Sequence, residues 1–179
     1  FFRRSSKTAG KLKVISLPIQ SGLICLRSIS NNRLRFELEY SLERGSTDNS
    51  FLFTSPDDLG NANTSATLVH PPGVTYGDVF LPRLLKALPD KTTKLQVVVG
   101  HVNPNRVAFL QQLANIYQSL ELISSNPGAK LLQELWTQQQ SIATGKKSQN
   151  TLPLPPILTI RQEQELPQIG GHQLRLIPA

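Results

Sequence analysis

The hydrophobic pattern changes its period partway along the chain. Residues 11–18 and 22–30 are rich in β-branched and apolar positions with Gly22 between them, which predicts two strands of a hairpin. Residues 33–40, RLRFELEY, alternate strictly. Leu34, Phe36, Leu38 and Tyr40 would share one side, and Arg33, Arg35, Glu37 and Glu39 the other, as in a half-buried strand. Gly45 is expected to start a turn before a short strand from Ser50 to Thr54. Residues 55–65, SPDDLGNANTS, are turn formers throughout and predict a surface loop. A strand from Ala66 to His70 follows, stopped by Pro71, Pro72 and Gly73.

From there the period is helical. Tyr76, Phe80, Leu84 and Leu88 recur at i+4 and predict a helix over about 76–88. The compact run KLQVVVG, 94–100, reads as a strand covered on both faces. A second helix places Val107, Leu110, Leu113, Ala114 and Tyr117 on one stripe. Leu120 to Ser124 predicts a strand, and Pro127 to Trp136 a third helix that buries Leu131, Leu132, Leu135 and Trp136. Residues 137–152 are polar and poorly periodic, predicting a long exposed loop that Pro153, Pro155 and Pro156 stiffen at its exit. Short strands are expected near Ile157–Ile160 and Gln173–Ile177. An antiparallel, strand-rich entry followed by β/α units is an α/β (α+β) pattern and fits one half of an αββα sandwich.

Charge sharpens this picture. The 179 residues carry 19 Lys and Arg against 12 Asp and Glu, a formal +7. No acid precedes Glu37, and eight of the basic residues lie in that stretch. The other eleven face all twelve acids, so the body is close to neutral, about −1. A nucleic-acid-binding body would carry its basic face among folded elements, which argues against that function. Residues 1–10, FFRRSSKTAG, read equally as a basic tail or as the remnant of a transit peptide, leaving 11–179 as the domain. No apolar run approaches the roughly 20 residues of a membrane span, which predicts a soluble protein. Cys25 is the only cysteine and sits in the apolar run SGLICLRSI. Cysteine-rich metal sites are thereby excluded, and only His70, His101 and His172 supply imidazole.

Chemistry concentrates in VVVGHVNPNR, Val97 to Arg106: strand, Gly turn, helix start. Asn103 suits an N-cap and Pro104 the first helical position. Loops at the carboxyl ends of such strands are where α/β folds place their chemistry, although a well-capped connection alone explains the spacing. Ser125 and Asn126 are candidates for shaping a pocket, with helix capping as the plain alternative, and His70 is a candidate for lining the site. His172, after Gly170 and Gly171, reads as a surface turn residue. Trp136 and Tyr117 read as core.

Several blocks resemble the flavodiiron proteins of oxygenic phototrophs, in particular their A type. RLRFELEYSLERGSTDNSFLF is similar to the segment that opens the metallo-β-lactamase-like domain of that family, and LVHPPG and SNPGA resemble later segments, although His70 stands where an Asp is expected. GHVNPNR falls on the family's H-x-E-x-D-H loop, which helps to hold two non-haem irons. His101 matches its first His, while Asn103, Asn105 and Arg106 replace the Glu, the Asp and the second His. The resemblance covers roughly residues 12–179 and implies half of a metallo-β-lactamase-like αββα sandwich, with a mixed sheet and helices on the outside. It implies a flavoprotein oxidoreductase that passes electrons from NAD(P)H or ferredoxin through flavin to oxygen, giving water and protecting photosynthesis from excess electrons. FMN is expected outside these residues, and assembly is expected to be head to tail, as a homo-oligomer or with a B-type flavodiiron subunit. Chloroplast stroma, or cytoplasm for a cyanobacterial chain, follows as the location.

The substitutions change the electrostatics of that loop. Two carboxylates have become amides and an imidazole has become a guanidinium, which stays protonated, so the loop is about three charges more positive than the family pattern. A fixed cation a few ångströms from a metal costs several kcal/mol. A di-iron site in this loop is therefore expected to be absent or weakened, with Arg106 pairing with acids left nearby. Taken alone, these residues are expected to be catalytically silent. A non-catalytic partner or scaffold subunit is the alternative. A zinc hydrolase of the same superfold would need a His-rich loop that is not present.

Overall fold

The computed structural model describes residues 12–30, 46–54, 64–90, 92–144, 152–167 and 172–178. The alternating strand read at 33–40 and the basic stretch at 1–10 lie outside the described residues, as does most of the loop read at 55–65. Among the described residues, nine strands and three helices run in the order β1 (Leu12–Gln20), β2 (Leu23–Ser30), β3 (Ser46–Thr54), β4 (Thr64–Val69), α1 (Gly77–Ala87), β5 (Thr92–Val98), α2 (Pro104–Ile116), β6 (Leu120–Ser125), α3 (Asn126–Thr144), β7 (Ile157–Ile160), β8 (Gln164–Glu165) and β9 (Arg175–Leu176). A 3-10 turn, Val74–Tyr76, leads into α1.

Strands β1 to β7 form one sheet in sequence order. β1 to β4 pair antiparallel, and β4 to β7 pair parallel with α1, α2 and α3 between successive strands. The hairpin between β1 and β2 closes through Ser21 and Gly22, and Gly22 takes the left-handed φ of 72° that glycine adopts without a Cβ clash. β1 forms the outer rim of the sheet, which is why it tolerates Pro18 and a register shift beside it.

Pleating sorts the side chains into two faces. Val14, Leu26, Leu52, Ala66, Leu68, Leu95, Val97, Leu120 and Leu122 point to one face and meet Tyr76, Phe80, Leu84, Phe109, Leu110, Leu113, Leu132 and Trp136 from the helices. α1 packs over β1 and β2, and α3 over β6 and β7. The opposite face is partly covered by the segment after β7. β8 and β9 form a separate two-stranded ribbon, and Leu166, Leu174 and Leu176 pack with Ile123, Leu158 and Ile160. His172 fastens the far end of this segment. Its Nε2 donates to the Ser21 carbonyl at 2.7 Å, its Nδ1 accepts from Gln20 Nε2 at 3.1 Å, and its ring meets Phe53 edge-on. Leu17, Ile19 and Phe51 remain exposed on that face.

Three expectations need correction. Leu131, read as buried on the third helix, is exposed. The third helix runs on to Thr144, so the first half of the polar stretch read as a loop is helical. Gln and Ala are good helix formers, and a helix nucleated by a buried stripe extends through polar turns at little cost. Gln140 Nε2 reaches the Leu152 carbonyl, the group that also accepts from Trp136 Nε1 at 3.1 Å, so the segment at 152 returns along the helix. The last strand is shorter than 173–177 and joins β8 instead of the main sheet.

Burial would raise the Glu121 carboxyl, but a hydrogen bond from Gln96 at 2.6 Å and the ion pair with Lys94 at 3.0 Å outweigh it and hold the group below its ordinary value. A depressed carboxylate stabilises the fold above its unfolded pKa, about 4.3, and loses that contribution as pH falls through the lower folded value. Acid unfolding of Glu121→Gln should accordingly show a shallower loss of stability below about pH 4.3 than the parent, read by circular dichroism. An unchanged slope would refute this.

Candidate functional site, a cation-filled loop pair

Parallel strands β4, β5 and β6 end along one edge of the sheet, and the loops there come together. After β5 the chain turns through Gly100 and His101 to Asn103, whose extended backbone (φ −150°, ψ 167°) ends the loop. The Asn103 side chain accepts from the Arg106 backbone N–H at 2.9 Å, and Pro104 opens α2. Replacing Asn103 with Ala should destabilise the protein by about 1 kcal/mol, the usual worth of such a cap, measured by urea unfolding.

Arg106 sits in the first turn of α2 and is only 4% exposed. A cation at a helix N-terminus opposes the macrodipole, so its burial needs other partners. They come from both loops. Nε donates to the Pro71 carbonyl at 2.9 Å and Nη1 to the His101 carbonyl at 3.2 Å. Nη2 lies 2.7 Å from His70 Nε2 and 3.6 Å from Asp48 Oδ2. Asp48 is itself buried, on the helix-facing side of β3 in register with Ser28.

The loop after β4 is shaped to meet this guanidinium. His70 holds a left-handed φ of 59°, the only positive φ outside glycine among the described residues. Its N–H donates to the Val98 carbonyl at 3.0 Å and its carbonyl accepts from Ser50 Oγ at 2.7 Å, which fix the unusual turn between β3 and β5. Pro71, Pro72 and Gly73 are buried beneath α2. A Cβ on Gly73 would stand 3.2 Å from that of Asn105, so glycine lets the two loops touch.

The sequence-predicted positions therefore divide. Arg106 and half-buried Asn103 point into the loop pair, and His70 joins them. His101 offers its carbonyl while the residue is exposed, and Asn105 is exposed beside Gly73. Ser125 and Asn126 lie apart from this cluster. They border a concavity of roughly 460 Å³ at the ends of β6 and β7, with Lys130, Arg161 and Pro178, and His70 does not line it. Ser125 Oγ also accepts from Gly128 N–H at the start of α3. Trp136 and Tyr117 are structural: Trp136 is 3% exposed, and the Tyr117 hydroxyl donates to the Thr92 carbonyl at 2.6 Å.

Asp48 is the partner that sequence reasoning did not single out. The sequence predicts a turn from Gly45 and a strand only from Ser50, whereas β3 begins at Ser46. The signal was there: Asp48, Ser50 and Leu52 continue the period-2 alternation onto the core face.

A pair of irons on this loop would need several imidazole and carboxylate ligands brought together. Among the described residues no group of three or more His, Cys, Asp or Glu could hold a metal ion. The buried positive charge in the loop pair is the Arg106 guanidinium, with Asp48 beside it. The residues of this loop do not fit a di-iron centre, because a fixed cation stands where such a centre would need ligands.

No family model matches the chain. It is 38% identical over 162 residues to the diflavin flavoprotein A 6 of Nostoc sp. PCC 7120, covering 90% of this chain and 24% of that protein. The metal-soaked flavodiiron core Flv1 of Synechocystis sp. PCC6803 superposes with a TM-score of 0.72 at 30% identity, covering 92% of this chain and 36% of that one. A 1–254 fragment of the diflavin flavoprotein A 5 of Nostoc sp. PCC 7120 gives a TM-score of 0.68 at 27% identity over 90% of this chain and 55% of that one. The chain spans about a quarter of the length of the curated relatives it matches.

Proposed function

We propose, on the premise that this chain is an A-type member of the flavodiiron family, corresponding to the amino-terminal, metallo-β-lactamase-like part of the cyanobacterial diflavin flavoproteins, that it serves an oxidoreductase which passes electrons from NAD(P)H or ferredoxin through FMN to oxygen. The product is water, and the role is to drain excess photosynthetic electrons in the chloroplast stroma, or in the cytoplasm of a cyanobacterium. FMN binds outside these residues. The chain acts with a B-type flavodiiron subunit, or with further copies of itself, arranged head to tail. No helix among the described residues is long and apolar enough to cross a membrane.

The observation that carries this reading is Arg106, buried with Asp48 between the two loops. The chain supplies the shape of the half-domain, and the metal chemistry falls to a partner. NAD(P)H-dependent oxygen uptake tests this with the chain, a B-type subunit and their mixture. The chain alone should consume no oxygen, and the mixture should exceed the subunit. Oxygen uptake by the chain alone, with two irons bound to it, would overturn the proposal.

The same guanidinium favours a second reading, a scaffold that assembles or regulates without passing electrons. Oxygen uptake by the B-type subunit equal to that of the mixture supports the scaffold.

A further inference from the structure

Two side chains bearing lone pairs converge on one nitrogen of Arg106. Guanidinium carries only donors, so at 2.7 Å it donates and His70 Nε2 accepts. Asp48 Oδ1 stands 3.3 Å from the same Nε2, and Oδ2 stands 3.6 Å from the guanidinium. An acceptor nitrogen and a carboxylate oxygen do not hydrogen-bond each other, so the cation they share holds them together. Ligands about 2.1 Å from a tetrahedral divalent ion stand about 3.4 Å apart. The imidazole and the carboxylate thus already have the spacing of two ligands on one metal ion. Asp48 is 8% exposed and the His70 side chain 41%, so the pocket is deep at the carboxylate and open to solvent at the imidazole. Neither residue belongs to the 101–106 stretch.

We propose that Asp48, His70 and position 106 form one cation pocket whose resident cation is the Arg106 guanidinium. The wild-type chain takes no divalent metal there, whereas histidine at 106 completes a three-ligand Asp–His–His site for an ion such as Zn²⁺ or Co²⁺. This rests on the reading of the loop pair as a site that has exchanged metal for fixed charge. Its test involves no oxygen chemistry, so it fails separately from the proposed activity.

The experiment is a Co²⁺ titration of the purified full chain carrying Arg106→His, followed by ligand-field absorption and metal content. One Co²⁺ per chain is expected. Affinity should fall about tenfold or more when Asp48→Asn or His70→Ala is added, since even outer-shell changes cost that much at metal sites. A folded Arg106→His chain that binds no Co²⁺, or whose affinity the second substitutions leave unmoved, would overturn the proposal. If Arg106→His does not fold, the wild-type chain decides. Its His70 imidazole resonances should keep their width when equimolar Co²⁺ is added, and paramagnetic broadening there would show that the pocket was open to metal all along.

Discussion

Arg106→Ala is expected to destabilise the fold by about 3–5 kcal/mol, the cost of removing one partner from a buried ion pair. The substitution leaves the Asp48 carboxylate in a buried site without its cation, and it strips donors from the Pro71 and His101 carbonyls. Truncation of an exposed arginine would change stability by no more than about 0.5 kcal/mol. Urea unfolding at neutral pH measures the difference. Because the loss is one of pairing, Asp48→Asn on the Arg106→Ala background should cost less than it does on the parent, a coupling that a double-mutant cycle reads directly. Equal midpoints for Arg106→Ala and the parent would remove the guanidinium from the account of this site. Arg106→Lys should recover only part of the loss, since one ammonium does not serve two carbonyls, an imidazole and a carboxylate in the geometry of a planar fork.

Phe109→Ala is expected to cost a comparable 3–5 kcal/mol. Phe109 is fully buried on α2, with its ring 5.6 Å from that of Phe80 on α1 in an edge-on arrangement of 82°. Deleting the ring removes apolar burial, opens a cavity and cancels the aromatic pair, which contributes about 0.5–1.5 kcal/mol of its own. Phe109→Leu keeps most of the volume and should lose markedly less. The site should register the change too. α2 holds both Phe109 and Arg106, so a helix that shifts to fill the void displaces the guanidinium from Pro71 and His70. Faster hydrogen exchange at the His70 N–H, which bonds to the Val98 carbonyl, would report it. A Phe109→Ala chain as stable as the parent would mean that α2 is seated by something other than this core.

Much of the frame was legible in the sequence because local periodicity dictates it. The hairpin around Gly22, the i+4 stripe of α1 and the strand–turn–helix from Val97 to Arg106 each follow from residues a few positions apart. The loop chemistry was legible only in part. The sequence showed that Arg106 needed an acid, but Asp48 reaches it only after β3 pairs with β4 and β4 with β5. The extent of α3 was missed because its last turns are polar, and periodicity is silent where no stripe is buried. A strand near 173–177 was legible, but β8 and its pairing with β9 were not, because a two-residue strand carries no pattern.

A charge built into the polypeptide differs from one borrowed from solution. The cation at the centre of this loop pair is made on the ribosome with the rest of the chain, so maturation there waits on no iron supply and no chaperone to deliver it. A chelator has nothing to strip from it. It also has a single valence, so the guanidinium itself can neither give nor take an electron.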